Sequence, residues 1–171
     1  MNLSSYSNMG FKHGRPLVFE ILWLLIQASL VNTLLSGTWW RVLLLWLFEA
    51  KVGAGSVFKP YLKVKFPWKL SVGNNVWLDN LANVEIHNDV CISQCVYICI
   101  VSPDWKSNEF SLITKKIEID SKSWVAVMCA IAPRVVVESS AILNLFSGAK
   151  NRLLANKIYT GCPATTIKES Y

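Results

Sequence analysis

Charge, glycine and histidine are all scarce in this 171-residue chain: 16% of its residues are charged, and it holds eight Gly, six Pro and two His. Low charge, with 53% hydrophobic residues and a mean hydropathy of +0.35, excludes intrinsic disorder and low complexity. Basic runs are short. Although Lys and Arg outnumber acidic residues 17 to 11 and the net charge is +6, no clustered basic footprint of a nucleic-acid binder is present, and no nucleic-acid partner is expected. An anionic partner such as a lipid surface or a phosphorylated cofactor suits that charge better. The five Cys are odd in number, and Cys91, Cys95 and Cys99 recur every four residues. That spacing fits neither a zinc site nor a secreted disulfide framework, so no metal is expected, and the thiols are predicted to be reduced and buried in a cytoplasmic protein.

What is abundant is apolar and aromatic: eight Trp, seven Phe and five Tyr demand burial or an interface, and the length suits one domain. Residues 1–16 read as a polar, irregular leader without the order of a signal peptide. Leu17 to Leu35 is an apolar stretch close to the roughly 20 residues needed to span a bilayer. Glu20 and Gln27 share one helical face within it and make a free-standing span costly. Residues 39–48 form a second apolar segment, too short to span and carrying Arg41. Packed helices, interfacial membrane contact through residues 17–48 and a true span are the three alternatives, in that order.

From Val52 onward the pattern has a period of six. Aliphatic or small residues recur at Val52, Phe58 and Val64, at Val72 and Leu78, at Ile86, Ile92 and Ile98, and at Ile119, Val125, Ile131, Val137, Leu143 and Ala149. Neither a helix nor an alternating strand has that period. A parallel β-helix does, with three six-residue units per coil and each inward side chain stacked on its equivalent eighteen residues later. Position five, also inward, is small or β-branched in the last run: Ser123, Cys129, Val135, Ala141 and Ser147. Position two, expected at the corner, reads Asp120, Ala126, Ala132, Glu138 and Asn144. The phase slips by two residues between Val64 and Val72 and again between Leu78 and Ile86. Residues 99–118 break the period, holding Pro, mixed charge, Trp105 and Phe110, and predict an excursion loop with a contact surface.

The chain resembles bacterial hexapeptide-repeat acyltransferases, in the branch of colanic acid biosynthesis acetyltransferases that modify exopolysaccharide. The resemblance rests on Gly10-Phe11-Lys12, residues 47–53, Phe66-Pro67-Trp68-Lys69-Leu70, Cys91-Ile92-Ser93-Gln94, Tyr97-Ile98-Cys99, Asp104-Trp105 and Gly161-Cys162-Pro163-Ala164. It implies a mainly β fold, a left-handed parallel β-helix of hexapeptide repeats with two N-terminal helices. The expected layout is a leader and two helices over 1–51, the β-helix over 52–161 and a tail over 162–171. It further implies a homotrimer with active sites between neighbouring coils, acetyl-CoA as donor and a saccharide hydroxyl as acceptor. The compartment is expected to be the cytoplasm, peripheral at the inner membrane.

In that family a His on the loop leaving the coil acts as general base toward the acceptor hydroxyl, which attacks the thioester. Here Pro103 stands in its place, and proline has neither a titratable group nor an N–H. Asp104 is the candidate replacement, although a carboxylate with a pKa of about 4 is a poor base unless burial raises it. His87, at a repeat corner, and His13, in the leader, do not align with the lost base. Position along the last coils assigns Val127, Leu145 and Asn151 to the donor groove, with Lys150 and Lys168 for phosphate. Corner glycines usual in the family are replaced at His87, Ala126, Ala132, Glu138 and Asn144, which argues for relaxed demand on turn geometry or on close approach. The function implied is an acetyl-CoA-dependent O-acetyltransferase of exopolysaccharide biosynthesis. The missing base argues against normal turnover and leaves two alternatives, a catalytically inactive trimeric scaffold and a degenerating gene product.

Overall fold

The computed structural model describes residues 13–35, 37–78, 84–99, 101–103, 112–114 and 116–170, with 101–103 and 112–114 as backbone. Asp104, Trp105, Phe110 and residues 79–83, within the second phase slip, lie outside the described residues.

Pro16 opens helix α1 (Leu17–Ile26), its preset φ suiting the turn and its carbonyl accepting the Phe19 amide at 3.0 Å. Nothing in the leucine-rich sequence breaks the helix, which widens into a π-turn over Gln27–Val31; Asn32 N donates to Gln27 O five residues back at 2.8 Å. The apolar stretch is therefore helical only to Val31, and a turn leads to helix α2 (Trp39–Leu47). Phe19 and Trp23 lie 4.9 and 5.0 Å, centroid to centroid, from Phe48 just after α2. At the other end Arg41 reaches Val31 O, so the two helices form an antiparallel hairpin.

The rest is a parallel β-helix with three faces. The first stacks Val52, Val72, Ile86, Ile119 and Val137, and the second stacks Phe58, Leu78, Ile92, Val125, Leu143 and Tyr159. Among the described residues the third holds Ile98, Ile131 and Ala149. Each short strand turns one residue outward and the next inward, and the stacked inward residues bury what one coil would expose. Ser123, Cys129, Val135, Ala141 and Ser147 at position five are buried as their small size requires.

Two expectations need correction. Val64 is buried but belongs to no strand, and among the described residues the third face begins at Ile98. In its place α1 grips this segment: Trp23 Nε1 donates to Val64 O at 2.5 Å, and Gln27 Oε1 accepts the Val64 amide. The corner at position two is not where the backbone turns left-handed. That demand falls on position four, where Tyr61, Asn75, Asp89, Cys95, Lys122, Met128, Arg134, Ser140 and Phe146 all have φ between 55° and 70°. What favours glycine at position two is close approach, since a Cβ on Gly73 would lie 2.7 Å from the His87 carbonyl carbon of the next coil.

The register locates both phase slips: Val52 pairs with Val72, twenty residues on, across the first. Val72 pairs with Ile86, fourteen residues on, whereas Ile119 pairs with Val137 eighteen residues on. Ile86 pairs with Ile119, and the chain between them leaves the third face after Ile98 as a hairpin of Val101–Pro103 with Leu112–Thr114. At the far end Lys157–Thr160 continues the second face, and Thr165–Glu169 returns antiparallel to it.

Candidate functional site

The outward residues of the third face are Tyr97, Ala130 and Gly148, and they floor a groove of about 500 Å³, within the usual size range of small-molecule sites. Cys99, Ala132, Pro133 and Lys150 line it from the adjoining corner, and Cys162 and Pro163 from the chain end. Small outward side chains open this floor. At Gly148 the approach is close: a Cβ would lie 2.6 Å from Cys162 Sγ, and that thiol would have to turn aside. Two backbone bonds clamp the Gly-Cys-Pro-Ala turn there: Gly148 N to Gly161 O at 2.9 Å and Ala164 N to Gly148 O at 2.8 Å.

The excursion hairpin leaves just beyond Cys99, with Pro103 paired to Leu112. Among its described lining residues the groove offers no carboxylate and no imidazole. His87 lies at another corner, with Nε2 3.5 Å from Asp120 Oδ1. His13 contacts Glu20 Oε2 at 2.7 Å and rests its ring edge on Phe66, in the hairpin region.

Of the five residues assigned to the donor, Lys150 lines the groove, with exposed Asn151 next along the chain. Val127 and Leu145 sit together at the corner joining the second and third faces, where Phe146 N donates to Val127 O at 3.1 Å. Lys168 stands on the last strand, paired with Ile158. Tyr97, Ala130, Gly148, Cys162 and Pro163 escaped residue-by-residue reading. Tyr97, Ala130 and Gly148 hold the outward strand position, one before each inward residue, which carries no hydrophobic period, while Cys162 and Pro163 lie in the turn between the last two strands.

The thiols also differ from expectation: Cys129 alone is buried, Cys91 and Cys99 are half-buried, and Cys95 and Cys162 are exposed. Position in the repeat decides this, because Cys129 is the only Cys at an inward position; burial pushes its thiol pKa up. A second, polar cavity of about 330 Å³ lies outside the first face, between Trp68, Lys69, Lys51, Ser71, Glu85 and Lys116. There the Lys116 ammonium holds the Glu85 carboxyl below its ordinary range, chiefly through their hydrogen bond.

No family model matches the chain. The colanic acid biosynthesis acetyltransferase WcaF of Escherichia coli (strain K12) is 32% identical over 176 residues, covering 98% of this chain and 96% of its own length. Two solved structures share the fold. A hexapeptide-repeat-containing acetyltransferase from Vibrio cholerae O1 biovar eltor, complexed with acetyl coenzyme A, superposes with a TM-score of 0.82 at 15% identity and full coverage of both chains. AntD, an N-acyltransferase from Bacillus cereus solved as a point mutant in complex with dTDP and coenzyme A, gives 0.64 at 19% identity over 82% of this chain and 92% of its own. The near full-length identity, carried on a hexapeptide solenoid with an outer-face groove, shows that the chain belongs to the family of the colanic acid biosynthesis acetyltransferase WcaF.

Proposed function

We propose that the protein is an acetyl-CoA-dependent O-acetyltransferase of exopolysaccharide biosynthesis, working as a homotrimer in the cytoplasm with peripheral contact at the inner membrane through residues 17–48. The observation that carries this reading is the 32% identity to WcaF over almost the whole chain. The groove suits the donor. Its backbone-rich floor over Ala130 and Gly148 admits a slender pantetheine arm, and Lys150 at the rim is placed for a phosphate. Val127, Leu145, Asn151 and Lys168 are the further donor contacts proposed. The acceptor is a saccharide hydroxyl, whose oxygen bonds to the acetyl carbon as the thioester C–S bond breaks, the proton passing to a base on this chain. Asp104, directly after Pro103, is proposed as that base.

A second reading is favoured by one observation: the described groove lining supplies no carboxylate or imidazole, and Pro103 stands where the family resemblance puts the base. In it the protein is an inactive trimeric scaffold that keeps the donor site. Calorimetric titration with acetyl-CoA, a sizing measurement and a labelled-acetyl transfer assay to saccharide separate the two. Transfer that vanishes in Asp104→Ala supports the enzyme. Donor binding by a trimer without transfer above a blank supports the scaffold, and absence of donor binding overturns both.

A further inference from the structure

We infer that the α1–α2 hairpin inserts tip-first into one leaflet of an anionic lipid bilayer and holds the β-helix at its surface. This rests on the proposed membrane contact through residues 17–48 and is independent of the acetyl-transfer chemistry.

The polarity of the hairpin is reversed. A surface helix normally buries its apolar stripe and shows its charges. Between Leu17 and Leu47 the two charged residues, Glu20 and Arg41, are buried at 7% and 0% exposure, while Val18, Leu34 and Trp39 are 77%, 76% and 75% exposed. Leu25, Leu35 and Leu47 add to the same outer surface, which among the described residues carries no charge.

The backbone is treated likewise. Turn carbonyls in water need no protein donor, whereas in hydrocarbon each must be satisfied internally. The Arg41 guanidinium spans the turn and donates to Val31 O (3.3 Å), Thr33 O (3.2 Å), Leu35 O (2.5 Å) and Gly37 O (2.6 Å). The hydroxyls of Ser29 and Thr33 fold back onto Leu25 O and Leu30 O at 2.7 and 2.6 Å. One buried polar atom, Asn32 Oδ1, has no partner among the described residues.

Length limits the depth. Fifteen helical residues from Leu17 to Val31 rise about 22 Å, short of a hydrocarbon core of about 30 Å. No helix among the described residues is long and apolar enough to cross a membrane.

Cations sit at the other end. The Lys65 and Lys69 ammonium groups lie 5.2 and 5.0 Å from the Phe66 ring centroid; Phe66 packs on Trp68 at 5.4 Å, and Trp68 on Phe19 at 5.6 Å. Arg15 lies there too but is paired with Glu49, so the two lysines supply the positive charge at the base of the hairpin, while Leu34 and Leu35 form its tip. An apolar tip and a cationic base match hydrocarbon depth and an anionic headgroup layer.

The test is flotation of the full-length protein with phosphatidylcholine vesicles, and with vesicles carrying phosphatidylserine in addition, at about 0.1 M and about 1 M salt. The protein should float with both; phosphatidylserine should raise the bound fraction at low salt, and binding to neutral vesicles should survive high salt. Leu34→Asp with Leu35→Asp should cut binding at least about tenfold with circular dichroism unchanged, since both side chains are exposed. Flotation with neither vesicle overturns the inference, as does binding confined to anionic vesicles and lost in high salt. If the double variant instead dissociates an oligomer and leaves flotation intact, a second copy covers this face and the inference falls. Acetyl transfer without vesicles is measured separately, so failure here leaves the enzyme reading standing.

Discussion

Replacing Arg41 by Met keeps most of the apolar stem and removes the group that closes the hairpin. The guanidinium is fully buried and contacts four carbonyls, two at 2.5 and 2.6 Å. A hydrogen bond to a charged group contributes about 1.5–3 kcal/mol net, so the two short bonds alone amount to about 3–6 kcal/mol. Part of that is returned, because Met carries no charge to desolvate; burial is what lowers the Arg41 pKa. Water can also reach the carbonyls of exposed Leu35 and Gly37 once the cap is gone. The expected net loss is about 3 kcal/mol, confined to the hairpin. Hydrogen exchange read by mass spectrometry in detergent-free buffer should therefore quicken about a hundredfold over residues 31–47. Amides of the ladder from Ile119 to Ala149 should keep their protection, because they bond to neighbouring coils and not to the hairpin. Arg41→Lys should fall between, lacking the fork that reaches several carbonyls together. Unchanged exchange over 31–47, or equal acceleration across the β-helix, would refute the assignment of this cap.

Met128, with φ at +56° and a half-exposed side chain, should raise the denaturation midpoint when changed to Gly, by about 0.5–1 kcal/mol after the entropic cost of glycine, whereas Met128→Ile should lower it. Glu138 accepts the Ala155 amide and pairs with Arg152, which hold its carboxyl below its ordinary range. Since its folded pKa is depressed, that contribution is present above the unfolded pKa of about 4.3 and is lost as pH falls through the folded value. Glu138→Gln should flatten the acid limb of melting temperature against pH, and an unchanged limb would count against the pairing. Alkylation followed by mass spectrometry should label Cys95 and Cys162 first and Cys129 only on unfolding; early labelling of Cys129 would contradict its inward position.

The core ladder was legible because burial in this fold repeats every six residues, so Ile119, Val125 and Ile131 announce their own stacking partners. Where the spacing departs from eighteen, between Val72 and Ile86, the period alone could show a slip but not its cause. The left-handed position was not legible, for a related reason. Backbone φ leaves no hydrophobic trace, and Met128, Arg134 and Phe146 do not look like turn residues. The groove was legible only in part, since its floor uses outward residues that need only be small.

By itself the sequence determined the period, the inward aliphatic column and the position of the excursion, because each is a matter of residue identity and spacing along the chain. The tertiary structure decided what spacing cannot express. It closed the early coils with α1 at strandless Val64, brought the Gly161–Ala164 turn onto Gly148 to wall the groove, and turned the hairpin's charges inward and its leucines outward. Those outcomes depend on which surfaces meet across tens of residues, and such meetings are chosen by packing and hydrogen-bond satisfaction rather than by local order.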